Sequence, residues 1–235
     1  MSDSTALRSF LDKWRERWPE WSVVEVFVPP PQRRTALAWF ALLQEFEDAM
    51  NIAGDPLPAD AKLGWWTEEL RNWSYRRSRH PLGRVLEPHV APWAELAATL
   101  PALQRARPRP LDQDTAFATL SLLAVAIGQV EASLFGTSTD AAGEVAIGCR
   151  LLASRLQQAG AAGVPMRVNG EVEPDAVAWA RELQRRWPTH PRSGTPRRVW
   201  SALARLRLQR SSAGEAAPPL SPARALWVGW DAARR

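Results

Sequence analysis

Apolar positions recur along most of this chain at intervals of three and four residues, the period that places side chains on one helix face. Leu7, Phe10, Leu11 and Trp14 form such a stripe within residues 4–18, which Pro19 ends. Val23–Val28 is a short apolar run with no second strand to pair with, and reads as an extended connector ahead of Pro29–Pro31. The clearest helix covers Arg33–Ile52, where Ala36, Trp39, Phe40, Leu43, Phe46 and Met50 share a face. Leu37, Ala38, Ala41 and Leu42 make its first half apolar nearly all round, which predicts a central helix. Gly54, Asp55, Pro56 and Pro58 end it. A helix over Asp60–Tyr75 follows, with Leu63, Trp66, Leu70 and Trp73 inward and Glu68, Glu69, Arg71 and Asn72 outward.

Further along, the basic loop Arg76–Pro81 leads into a short helix. Trp93–Arg105 is predicted helical, interrupted or curved near Pro101, and Thr115–Leu134 helical under an Asp112 or Asp114 cap. Asp140–Ala159, Asp175–Trp187 and Arg197–Gln209 complete the helical set. Ser211–Ser221 is predicted mobile, and Ala223–Arg235 carries Trp227 and Trp230 on an amphipathic segment. The expectation is an all-α fold with one helical domain over 33–210. A helix and Pro-rich connector precede it (1–32), and a flexible basic tail follows (211–235).

Composition narrows this picture. A hydrophobic share of 46% with a net charge of +5 over 235 residues excludes wholesale disorder. One cysteine excludes an intramolecular disulfide and any zinc site built on several cysteines. The longest apolar tract, Ala116–Val130, is broken by Thr119, Ser121 and Gln129 and reads as a buried helix. Residues 1–20 lack the apolar region of a signal peptide, so a cytoplasmic location is expected. Of 30 basic residues only Lys13 and Lys62 are lysines. Arginines crowd the segment after residue 180, interleaved with Trp187, Trp200, Trp227 and Trp230. Such a mixture suits a lipid–water boundary and predicts peripheral membrane contact. No nucleic-acid module is recognisable, and no nucleic-acid partner is expected.

One ordered set of motifs adds a resemblance. ALAWFALLQEFEDAM is followed by Asp55-Pro56, AKLGWWTEEL, a basic stretch and HPLGRVL. Paired Trp65-Trp66 with Glu68 or Glu69 after them, and then His80-Pro81, are the most specific elements. In this order they resemble the squalene/phytoene synthase family, over roughly residues 25–210. The resemblance implies an all-α isoprenoid-synthase fold. Active members of that family join two prenyl diphosphates head to head. Their diphosphates are held by Mg²⁺ between two aspartate-rich motifs on facing helices, since a diphosphate departs only when cations neutralise it. The carbocation left behind needs an apolar, aromatic cavity that excludes water.

Against that pattern, the central helix offers Glu45, Glu47 and Asp48 as candidate metal or diphosphate acids. Glu45 and Asp48 share a flank opposite the main apolar stripe, whereas Glu47 lies within about 40° of Leu43. A carboxylate there is either a site residue or paired with a buried cation such as Lys62. Lys62, Arg76 and Arg77 are candidate headgroup or phosphate contacts, and Trp39, Trp65 and Trp66 candidate cavity walls. The helix over Asp140–Ala159 departs most from the family. Beyond Asp140 and Glu144 it reads GCRLLASRLQQAG, with no acid where the second motif belongs. His80, His89, His190 and Cys149 have no metal-ligand spacing, Cys149 reads as a small core residue, and no catalytic residue stands out. Two readings follow from the resemblance. One is a pseudoenzyme without the Mg-dependent prenyl transfer and without a cofactor, which binds an isoprenoid, another lipid or a protein partner. The other is an active prenyl-diphosphate transferase of isoprenoid biosynthesis that uses Mg²⁺ on an altered acidic set.

Overall fold

Pro19 ends helix α1 (Asp3–Arg17), and the chain turns straight into α2 (Trp21–Val24) and a 3-10 turn over Glu25–Phe27. The extended connector expected from Val23 is therefore helical, and only Val28 has extended backbone. Curling the run buries Trp21 and Val24, which a straight connector would leave in water. Helix α3 (Pro30–Met50) starts three residues before the predicted Arg33. Its prolines fit the first turn, where no N–H needs a partner. Arg33 ties the start down by donating to the carbonyls of Val28 (2.9 Å) and Val26 (3.0 Å). Pro58 similarly lies within the first turn of α4 (Leu57–Trp73).

Short helices α5 (Gly83–Leu86), α6 (Trp93–Thr99) and α7 (Pro101–Arg105) follow, the last two separated just ahead of Pro101. Three long helices begin at aspartates whose side chains accept a backbone N–H, each at 2.7 Å. They are α8 (Gln113–Phe135) under Asp112, α9 (Ala141–Ala159) under Asp140 and α10 (Ala176–Arg186) under Asp175. Helices α11 (Thr195–Ser212) and α12 (Pro222–Arg234) complete the fold. The computed structural model describes residues 3–212 and 220–234, so most of the stretch predicted mobile lies outside the described residues.

Among the described residues the architecture is all-α apart from one hairpin, in which β1 (Arg167–Val168) pairs with β2 (Glu171–Val172). Asn169 (φ 51°) and Gly170 (φ 85°) make its two-residue turn. Asn-Gly is a strong hairpin signal, and here it outweighs the shortness of the flanking strands.

One contiguous core runs from Leu7 and Trp14 in α1 to Ala225 and Ala232 in α12. The two end segments that composition sets apart thus pack with the rest. Gly229 allows this for α12, because a Cβ there would stand 2.8 Å from Val24 Cγ1. Trp14, Trp21, Trp39, Trp66, Trp73, Trp93, Trp179 and Trp200 are all fully buried, so tryptophan is chiefly a core residue in this chain. Among the described residues α8 alone is long and apolar enough to cross a membrane, with half of its apolar window buried in the bundle.

Candidate functional site

The three acids of α3 are all neutralised by cations from other helices. Glu45 is buried between Lys62 Nζ (2.5 Å) and Lys13 Nζ (3.6 Å), so both lysines of the chain converge on it. Asp48 accepts from Arg17 at 3.1 Å and from Gln44 at 2.8 Å. The flank that Glu45 and Asp48 share is covered by α1, which supplies Lys13 and Arg17. Glu47 is 2% exposed and ion-paired with Arg150 of α9, which is equally buried. Of the two alternatives for Glu47 the structure shows the buried pair, with Arg150 as the partner, and Lys62 serves Glu45 instead. Helical period places Glu47 inward; which cation meets it is decided by how α9 packs on α3.

The stretch of α9 without acids is filled by guanidinium groups. Arg150 lies over the Trp200 ring at 4.0 Å. Arg155 reaches back to Asn51 Oδ1 (3.2 Å) and to the carbonyls of Arg107 and Ala162. A second buried pair lies beyond Trp200. Glu131 of α8 meets Arg197 of α11, whose Nε donates to both carboxylate oxygens at 2.9 Å, and Trp39 Nε1 donates to Oε1 at 2.7 Å. Arg197 also faces Trp200, at 4.8 Å. Trp200 is thus held between two guanidiniums, with Phe40 at 4.2 Å and Trp14 at 5.8 Å against it. Glu131 and Arg197 were not among the sequence candidates. Glu131 carried the same signal as Glu47, an acid on the apolar side of a helix, four residues after Ile127 and three before Leu134.

A cleft of about 180 Å³ opens beside the Glu47–Arg150 pair, lined by Arg17, Gln44, Ser154, Gln158 and Arg207. Mg²⁺ takes hard oxygen ligands in near-octahedral geometry. Here each carboxylate of α3 already faces a cation, and α9 presents guanidinium in place of carboxylate. Among the described residues no three His, Cys, Asp or Glu stand together as a metal-binding group. This donor set does not fit a Mg²⁺ cluster between α3 and α9.

Around His80 the motif residues of α4 form a separate corner. The His80 ring packs against Trp66 and Phe10 (4.5 Å each) and Trp65 (5.7 Å), and its Nδ1 accepts from the Leu82 N–H at 3.2 Å. Glu69, expected outward, is completely buried. Its carboxylate accepts from Trp73 Nε1 (2.9 Å) and from the backbone N–H groups of Arg79 (2.6 Å) and His80 (2.8 Å). The basic loop folds back over α4 and turns an outer position into an inner one. Of the proposed cavity walls, Trp39 and Trp66 are sealed in aromatic packing, while Trp65 is 40% exposed. Arg76 and Arg77 are exposed past the end of α4, and Arg76 donates to the Glu87 carbonyl at 2.5 Å. Lys62 lies about 15 Å back along the helix, so these three do not form one headgroup site.

Burial pushes His80 down to about 4, against the raising pull of Glu45 and Glu69 and with that of Lys62. Its folded value lies below its unfolded one, so the unfolded chain binds the extra proton between about pH 6.5 and 4. Stability is therefore expected to fall as pH drops through that window, by at most about 3 kcal/mol and by less after solvent screening of the part-exposed ring. Urea unfolding of wild type and His80→Phe at pH 7 and pH 4.5 checks this. The variant should lose less than wild type on acidification, and equal losses would remove His80 as the cause.

The tryptophans of the arginine-rich end divide. Trp187 and Trp200 are buried, which corrects their assignment to an interfacial surface. Trp227 (65% exposed) and Trp230 (38%) pack in a tilted pair at 5.2 Å on α12 beside exposed Leu226, with Arg234 over the Trp230 ring at 4.3 Å. Cys149 is fully buried and its thiol is pushed up to about 12 by that burial, so it is a core residue without nucleophilic character. No protein-family model and no curated protein sequence matches this chain.

Proposed function

We propose that this chain is a squalene/phytoene synthase-like protein that lacks the Mg-dependent head-to-head prenyl transfer and acts by binding a lipid or a protein partner. The Glu47–Arg150 contact carries the reading. Where that chemistry calls for acids on two facing helices with a cation between them, α3 offers an acid and α9 the cation itself. A departing diphosphate would find no unneutralised acid pair to hold its metal, because Glu45 and Asp48 are spent on Lys13, Lys62 and Arg17. The cleft beside the pair is smaller than the roughly 300–1,000 Å³ of sites that bury whole ligands. Its lining carries Arg17, Glu47, Arg150 and Arg207, charged groups where a prenyl cation needs a wall that is apolar throughout. Lipid contact falls instead to α12, where Leu226, Trp227 and Trp230 are exposed beside Arg224 and Arg234.

Two measurements test this reading. Incubation with farnesyl or geranylgeranyl diphosphate and Mg²⁺ is expected to release no pyrophosphate and give no C30 or C40 product. Turnover that Glu47→Ala and Asp48→Ala abolish would establish the active transferase instead. Sedimentation with phosphatidylglycerol vesicles is expected for the wild type and lost in Trp227→Ser/Trp230→Ser. A wild-type protein that stays in the supernatant removes the membrane contact.

A further inference from the structure

A cavity with mainly apolar walls lies away from the α3–α9 interior, between α11, α12 and the loop from Trp187 to Ser193. Each helix contributes a matching stripe. Ser201, Ala202, Arg205 and Leu206 line one side, and Trp227, Val228, Asp231 and Ala232 the other. Each set follows i, i+1, i+4, i+5 spacing, so two helix faces are turned toward each other, and Arg198 of α11 bridges them by donating to the Ala232 carbonyl of α12. Trp187 and Pro188 form the third wall, and the space between is about 230 Å³.

The polar groups of this cavity are unmatched in one sense. Ser201 is 7% exposed, and its Oγ is buried with no hydrogen-bond partner among the described residues. Arg197 Nη1 and Arg205 Nε are likewise buried and unpartnered. Ser201 and Arg205 stand one turn apart on the α11 face that lines the cavity, so a ligand that accepts hydrogen bonds would meet both side chains together. The charges give the ligand's sign. Arg197 is balanced by Glu131. Arg198 spends its donors on neutral oxygens, the carbonyls of Ser193, Ala232 and Ala233 and the Thr195 hydroxyl, so its charge is not cancelled. Arg205 has no hydrogen bond or ion pair among the described residues. Asp231 is the one acid in the lining. An excess of about one positive charge in a mainly apolar wall matches a monoanion with an apolar body. A diphosphate would bring more negative charge than these groups offset. The volume exceeds the roughly 150 Å³ that holds a benzene ring and falls short of the roughly 300 Å³ of drug-sized sites.

We infer that the α11–α12 cavity binds a small carboxylic acid with an aryl or short alkyl body. The carboxylate accepts from Arg205 and Ser201, and the body lies against Leu206, Trp187 and Trp227. This site stands independently of the prenyl-synthase resemblance, since it uses none of the residues that carry it.

The test is isothermal titration with 3-phenylpropanoate and octanoate, each compared with its neutral amide. Saturable binding of at least one acid is expected, with its amide weaker by about tenfold or more, as for loss of one charge-assisted hydrogen bond. Arg205→Gln is expected to weaken acid binding by a similar factor and to leave the circular dichroism spectrum unchanged. Ala202→Phe, which fills the cavity from the α11 side, is expected to abolish binding. Equal affinity for acid and amide, unchanged affinity in both variants, or no saturable binding of either acid at millimolar concentration would each overturn the assignment.

Discussion

Arg150→Met is expected to destabilise the protein by about 3–5 kcal/mol, the cost of leaving a buried carboxylate without its counter-charge. Glu47 is 2% exposed, so the lost guanidinium leaves its carboxylate largely desolvated without a counter-charge. Glu47→Leu should cost a similar amount for the mirror reason, since Arg150 would then sit charged over Trp200 with no acid beside it. The double variant Glu47→Leu/Arg150→Met is expected to recover most of the loss, because two apolar groups no longer carry the desolvation penalty. Urea midpoints at constant slope measure all three. If each single variant cost less than about 1 kcal/mol, Glu47 would be reaching solvent or another cation. The buried ion pair between α3 and α9 would then be lost as an argument against a metal there.

Glu69→Ala is expected to be comparably severe, about 3–5 kcal/mol. It strips one acceptor from an indole N–H and two backbone N–H groups at once, each costing roughly 1–3 kcal/mol when buried and unpaired, with incomplete additivity. Glu69→Gln keeps an acceptor oxygen and the side-chain shape, so it should cost clearly less. Burial raises the Glu69 pKa, but hydrogen bonds from Trp73, His80 and Arg79 outweigh it and hold the carboxyl below its ordinary value. A depressed carboxylate contributes stability above its unfolded pKa and loses it as pH falls through the folded one. Glu69 and His80 therefore weaken the same corner in acid, His80 first. Thermal unfolding of Glu69→Gln across pH 7 to 3 should show a shallower acid slope than wild type below pH 4.5.

Much of the helical layout was legible in the chain. Asp112, Asp140 and Asp175 mark helix starts because a short acceptor before an apolar run satisfies an end N–H wherever it occurs. Prolines were harder to read. Those at 30, 31 and 58 looked like breakers, yet they stand in first turns, where the same ring is tolerated. The candidate site was legible in part. Glu47 shows as an inward acid from period alone, and the missing acids of α9 show as an absence. That arginines replace them was visible as letters without a destination.

What the sequence determined by itself was local: an all-α chain, the helix starts that an aspartate caps, which faces are apolar, and that Glu47 points inward. These depend on 3.6-residue periodicity and on end-capping, both set within a few residues. Partner choice was decided only in the tertiary structure. Arg150 lies 103 residues from Glu47, and the Lys13 and Lys62 that meet at Glu45 belong to two different helices. Glu69 became interior only because a loop ten residues later folded over it. Charges are long side chains with several acceptors within reach in sequence terms. The pairing that survives is the one the packed backbones bring within about 3 Å and remove from water together.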